Sequence, residues 1–139
     1  MSNTTLFKTV FFAAEQETVW HFLTNKDKLG DWYHPADADL SEGNDYTLFS
    51  KSEDGEKTKI VWGHVKQMVP YSKLVTTFCI APFAGKETVL TWTLEPAAGG
   101  TLLSLAHDGI EAATGDQAMH ILGALDKGWD DHFARLRAL

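Results

Sequence analysis

The chain begins with an alternating run rich in β-formers, Thr5 to Phe12, which predicts a strand. From Glu15 to Thr24 the period changes. Val19, Trp20, Phe22 and Leu23 return to one side at helical spacing. Asn25 has the side chain to cap a second short helix, with Leu29 and Trp32 as its apolar contacts. The pair forms an elbow like a helix–turn–helix. Glu17, Asp27 and Asp31 leave it no basic face, so it reads as packing at one end of a core rather than as a DNA reader.

From residue 36 onward the pattern is that of strands. Ala36 to Leu40 reads as a short one, and Ser41 to Asp45 as a turn. Tyr46 to Lys51 is a strand, Asp54-Gly55 a hairpin signal, and Lys59 to Val69 a long strand stopped by Pro70. Leu74 to Ile80 is β-branched and aromatic, and a loop with Pro82 and Gly85 follows. Between Glu87 and Glu95, Leu90, Trp92 and Leu94 share one face. Ala98-Gly99-Gly100 turns the chain, and Leu103, Leu105 and His107 then share a face. Strands joined by successive hairpins make an antiparallel meander. The last element is a helix from about Gly115 to Leu139, with Met119, Leu122, Leu125, Trp129, Phe133 and Leu136 at steps of three or four.

The elements define an α+β class: a curved antiparallel β-sheet of about six or seven strands wrapped around a long C-terminal α-helix. Two short helices stand between strands 1 and 2, and residues 1–139 form one domain. A single helix cannot fill the whole concave face of a curved sheet. An apolar cavity between them is therefore expected, and a volume of roughly several hundred Å³ would suit a ligand.

Charge narrows the partners. The formal net charge is −7, which argues against nucleic acid and against an anionic membrane surface. Cys79 is the sole cysteine and sits in a buried-strand context, so no internal disulfide is expected and the thiol reads as a small core hydrophobe. With no signal-like N-terminus and no long apolar run, the cytoplasm is the expected compartment.

Candidate chemistry is sparse. His21, His34, His64, His107, His120 and His132 lack zinc-helix spacing, and His34 near Asp37 and Asp39 reads as a solvated loop. No nucleophile elbow and no phosphate loop are present, so neither a catalytic set nor a cofactor is expected. The polar exceptions face inward. Counting about 100° per residue places Asp126 within the apolar arc of the last helix, where a carboxylate needs a partner. His107, on the inward face of the last strand, is the candidate, as a polar contact, a ligand-orienting pair or an acid/base pair. The candidate ligand-binding set is Trp32, Phe49, Trp62, Phe78, Phe83, Trp92, His107, Met119, Leu122, Asp126 and Trp129, with the 81–86 loop as a candidate gate. Most of these aromatics serve the core first.

Several segments together are similar to one family. They are Val19-Trp20, Leu29 with Trp32, the stretch 41–46, Gly63 to Pro70, Leu74 to Phe78, Gly100 to Gly109, and Gly128-Trp129 with Phe133 and Leu136. No single piece is specific, but the ordered set from about residue 7 onward resembles a stand-alone member of the activator of heat-shock-protein-90 ATPase homologue family. That family lies within the SRPBCC (START-like, birch-pollen-allergen-like) superfamily. Gly43-Asn44 departs from the two glycines usual there, and Asn tolerates the backbone such a turn needs. The resemblance implies a helix-grip fold and a small apolar or amphipathic ligand in the cavity. It supplies no fixed catalytic residues. The competing expectations are a protein-interaction or co-chaperone-like module, whose partner is another protein or a second copy of the chain, and a cyclase- or hydrolase-type enzyme using the same cavity. The co-chaperone that names the family has a further N-terminal domain absent from these 139 residues, so that analogy is one of fold.

Overall fold

The computed structural model describes residues 5–51, 57–83 and 85–138. Strand β1 (Leu6–Phe12) leads into helices α1 (Gln16–Thr24) and α2 (Lys26–Trp32). Strands β2 (Asp45–Lys51), β3 (Lys57–Val69), β4 (Lys73–Phe78), β5 (Thr88–Ala97) and β6 (Gly100–Asp108) follow. A short helix α3 (Ile110–Thr114) and one 3₁₀ turn then lead into the long helix α4 (Ala118–Arg137). The described strands form one antiparallel sheet in the order β1-β6-β5-β4-β3-β2, so the first strand closes the meander beside the last. The α+β helix-grip expectation therefore holds.

Local chemistry explains most boundaries. Asn25 caps α2 as expected, its side-chain oxygen accepting from the Asp27 and Lys28 amides at 3.0 Å. The Trp32 indole donates to the Phe22 carbonyl at 2.8 Å, which fixes the elbow between α1 and α2. Gly43 supplies the left-handed residue of the turn before β2 at φ 85°, leaving Asn44 in ordinary backbone. Gly63 is required for a different reason. A Cβ there would lie 2.6 Å from the Thr77 hydroxyl, so β3 can meet β4 at this point only without a side chain.

Two expectations need correction. Residues 36–40 make no strand; Ala36 forms a single bridge to Leu48. The final helix starts at Ala118 rather than Gly115, because Gly115 at φ 54° breaks the chain after α3, which the sequence pattern did not separate. The Asp54-Gly55 hairpin signal lies outside the described residues.

The core occupies the concave face. Leu90, Trp92, Leu94, Leu103, Leu105 and His107 all point into it, as their alternation predicts, and meet Trp129, Phe133 and Leu136 of α4. Each such leucine contributes about 1.5–3 kcal/mol by leaving water.

Candidate functional site

The concave face is largely filled. Trp32 stacks on Phe133 at 6.2 Å and meets Trp92 edge-on at 6.1 Å, and Trp92 meets Trp129 at 5.6 Å. Among these rings and Leu23, Tyr46, Leu48 and Leu74 only about 30 Å³ remains. That is the space of about one water.

The usable hollow lies to one side of the filled centre. A half-open hollow of about 190 Å³ is bordered by Ile60 and Val61 of β3, Phe78 and Ile80, Tyr33 and His34 after α2, and Leu125, Gly128, Trp129 and His132 of α4. Two backbone features create it. The register of β2 on β3 skips Ile60, since Leu48 faces Val61 and Phe49 faces Lys59, and this bulge re-aims Ile60 toward the helix. Gly128 leaves space beside Trp129, for a Cβ there meets nothing within 4 Å. Tyr33 and His34 also line an open groove of about 580 Å³ with Asp27, Asp31, Pro35 and Phe49. The two residues thus border both hollows.

The pocket walls carry rings and no charge. His132 lies 4.5 Å from Tyr33 and 5.3 Å from His34, centroid to centroid, and Tyr33 lies 5.3 Å from Trp129. Burial, with His34 and Arg135 nearby, lowers the His132 imidazole to about 4. Burial, followed by Arg135, lowers His34 as well. Burial raises the Tyr33 hydroxyl well above its ordinary range, so it stays protonated. At neutral pH all three groups are uncharged. Arg135 hydrogen-bonds to His132 Nδ1 and, at 3.1 Å, to the Trp32 carbonyl, which ties the end of α4 to α2.

His107 faces inward as expected, but it is completed within the core. Its Nδ1 accepts from the Trp129 indole at 3.3 Å, so its proton sits on Nε2. Nε2 donates to Thr88 Oγ1 at 2.8 Å, and that hydroxyl donates to the Phe78 carbonyl at 2.8 Å. The imidazole is 0 % exposed, and burial lowers it to about 3. The pair expected between His107 and Asp126 does not form. Asp126 points outward, half-exposed, and binds Lys8 Nζ at 2.7 Å beside Asp130 at 2.9 Å. The buried residues Ala118, Trp129, Phe133 and Leu136 centre roughly 60° away from Asp126 around the helix. Counting Met119 into the apolar arc draws its centre toward Asp126. Met119 is itself 87 % exposed and touches no cavity.

The other candidates divide by location. Phe78 and Trp129 line the pocket, while Trp32 and Trp92 border the small central void. Leu122 is half-buried on α4 outside the pocket lining. Phe83 is 0 % exposed and packs on Phe78 at 6.0 Å, so it anchors the 81–86 loop in the core instead of standing at a mouth. Phe49 lines the surface groove. Trp62 lies on the sheet's convex face, with Lys59 Nζ 4.6 Å from its ring centre, because the bulge beside it leaves Val61 as the inward residue. Sequence reasoning missed Tyr33 and His132 and assigned His34 to a solvated loop. A signal was present in Tyr33-His34-Pro35, since proline disfavours helix at the residue before it and stops α2 there.

A family model described as "Activator of Hsp90 ATPase homolog 1-like protein" matches residues 13–139. The chain belongs to this family. No curated protein matches it. The family fold recurs in solved structures. A Mesorhizobium loti protein, MLL2253, is 21% identical, with 96% of this chain and 94% of that chain covered at a TM-score of 0.78. A Rhodobacter sphaeroides protein is 22% identical over 99% and 93% at 0.79. An Arthrobacter aurescens protein is 17% identical over 99% and 88% at 0.80. At these identities the likeness is one of fold. The activator of Hsp90 ATPase homolog 1-like fold is compatible with ligand binding, and among the described residues no helix is long and apolar enough to cross a membrane.

Proposed function

We propose that this chain binds a small apolar or amphipathic molecule in the pocket between β3, α4 and the Tyr33-His34 segment. The observation that carries the reading is an unfilled volume of about 190 Å³ walled by Phe78, Leu125, Trp129 and three uncharged polar rings. Concave, mostly apolar hollows with a few polar groups are where small ligands usually bind. Catalysis has less support, because the acid/base pair expected of Asp126 and His107 is separated.

Gly128→Leu supplies the test. The new side chain enters the pocket where nothing stands within 4 Å, and it replaces glycine inside a helix. The variant should be at least as stable as the parent and should lose binding of benzene-sized probes, read by thermal shift and by the Trp129 indole resonance. Native mass spectrometry of freshly purified parent and variant should find any co-purifying small molecule on the parent alone. Unchanged probe binding in Gly128→Leu would remove the pocket from consideration.

A second reading has its own observation. Phe7 at 67 % and Phe11 at 39 % exposure share the outer face of the edge strand β1. A protein partner or a second copy of this chain would use that face. Phe7→Ser with Phe11→Ser would abolish such binding and leave the pocket untouched.

A further inference from the structure

The outer face of the sheet carries a neutral block on an otherwise charged molecule. Burial alternates along β1, so Lys8, Val10 and Phe12 turn inward and Phe7, Thr9 and Phe11 turn outward. The pairing register sets Phe7 beside Ala106 of β6 and Thr91 of β5, and Thr9 beside Ser104 and Thr93. The Thr9 and Ser104 hydroxyls, 3.3 Å apart, place these rows on the same outer side. The chain has 12 basic and 19 acidic side chains, yet none stands at these positions. Charge begins only at the margins, with Asp108 and Glu95 at the strand ends and Lys73 beyond Thr93.

The relief of this face is also regular. Phe7 and Phe11 form a ridge on one strand, at 67 % and 39 % exposure. Phe11 is the lower of the two because its ring leans over Gly100, where a Cβ would come within 2.8 Å of it. Beside the ridge, Ala106, Ser104, Thr91 and Thr93 make a strip of small side chains. A two-fold axis running along the strands between β1 and β6 lays the ridge of each copy on the β6 of the other. Phe7 then meets the small Ala106 of the second copy. An isologous contact needs one patch that fits itself, and a ridge beside a strip of small residues does so.

Charge selects the same occupant. At a net charge of −7, two copies repel wherever their acidic surfaces meet. Here they approach without opposing charges. A basic partner would find no carboxylate within the block to pair with, and an acidic partner no cation.

We infer that the chain associates with a second copy of itself through the outer face of β1, β6 and β5, with Phe7 and Phe11 of each copy packed on the small side chains of the other. This rests on the second reading above and is independent of the pocket. The contact is small. Three strands about 4.8 Å apart and five residues long cover roughly 250 Å² in projection. A standard interface buries about 800 Å² on each partner, so the dimer is reversible and forms at high micromolar concentration.

Sedimentation velocity of the whole chain from about 5 µM to about 1 mM, in low salt and in 1 M NaCl, tests this. The parent should be monomeric at the low end and shift toward dimer at the high end. Association should be at least as strong in 1 M NaCl, which screens the residual repulsion. Amide shifts that move on dilution should cluster on β1, β6 and β5. Phe7→Ser with Phe11→Ser should stay monomeric throughout. Ser104→Lys keeps both rings but puts a charge in the strip, and should weaken association at least about tenfold. Near-ultraviolet circular dichroism like the parent's reports that both variants are folded. Met119→Ser removes an exposed apolar side chain elsewhere and should change nothing.

A parent that stays monomeric at about 1 mM overturns the inference. If Phe7 and Phe11 are then required for binding a different protein, the face belongs to that partner and the second reading stands without this one. Association that persists in both folded variants, or that 1 M NaCl abolishes, overturns the inference as well.

Discussion

Replacing Thr88 by Val asks what the buried His107 contributes. Thr88 is 1 % exposed, and valine matches its shape, so packing is nearly conserved. What disappears is one hydroxyl with two bonds, accepting from His107 Nε2 and donating to the Phe78 carbonyl. The histidine cannot escape by moving its proton, because Nδ1 is already occupied by the Trp129 indole N–H. A buried donor left without a partner costs about 1–3 kcal/mol. The carbonyl adds less, since Phe78 sits opposite Thr88 in the β4–β5 ladder and retains backbone pairing. The expected loss is about 2–3 kcal/mol, measured by urea unfolding with an unchanged denaturant slope. Thr88→Ser keeps the hydroxyl and removes one methyl, for a cost of about 1 kcal/mol. If valine costs less than 0.5 kcal/mol, or no more than serine, the hydroxyl does not carry the relay and the reasoning fails.

Further expectations concern other parts of the molecule. His107 is depressed to about 3 in the fold against about 6.5 unfolded, so only the unfolded chain takes up its proton between those values. Stability contributed by the neutral ring is complete above about pH 6.5 and falls as pH drops toward 3, by about 1.4 kcal/mol per pH unit at its steepest. Unfolding series at pH 7 and pH 5 should show a shallower decline in His107→Phe than in the parent. Lys8→Met leaves Asp126 and Asp130 facing each other one turn apart, and should cost under about 1 kcal/mol, a difference that 1 M salt erases. Gly63→Ala drives a methyl into Thr77 and should cost more than about 2 kcal/mol by thermal unfolding. Asp126→Ala should leave probe affinity unaltered, because its carboxylate lies on the outer side of α4.

The architecture was legible because its signals are periodic. Leu90-Trp92-Leu94 and Leu103-Leu105-His107 alternate, Trp129-Phe133-Leu136 recur at helical steps, and Asn25 and Gly43 mark their own turns. The site was less legible because it depends on offsets of one residue. A single bulge turns Ile60 inward and leaves Trp62 outward, and alternation cannot reveal where a strand skips a partner. The helical wheel failed at Asp126 for a similar reason. Met119 is apolar and counts as inward on the wheel, yet it projects into solvent, and the true centre of the arc follows Trp129. Tyr33, His34 and His132 come together from segments about 100 residues apart, through the meeting of α2 with α4. No local spacing encodes that encounter.

Trp129 has two employments at once. One part of the indole is pocket wall, while its N–H holds His107 in place at the centre of the sheet. Substituting it to reshape the site would orphan a nitrogen in the driest part of the protein. On the proposed reading, adaptation to new ligands would fall on Ile60, Ile80, Leu125 and Gly128, which border the hollow and hold no buried bond in their side chains. Divergent relatives built on this plan would be expected to vary there first and to keep the indole. The same coupling turns the core into a reporter. A molecule that tilts the Trp129 ring must stretch the bond to His107, so occupancy becomes visible at an imidazole that the ligand never touches.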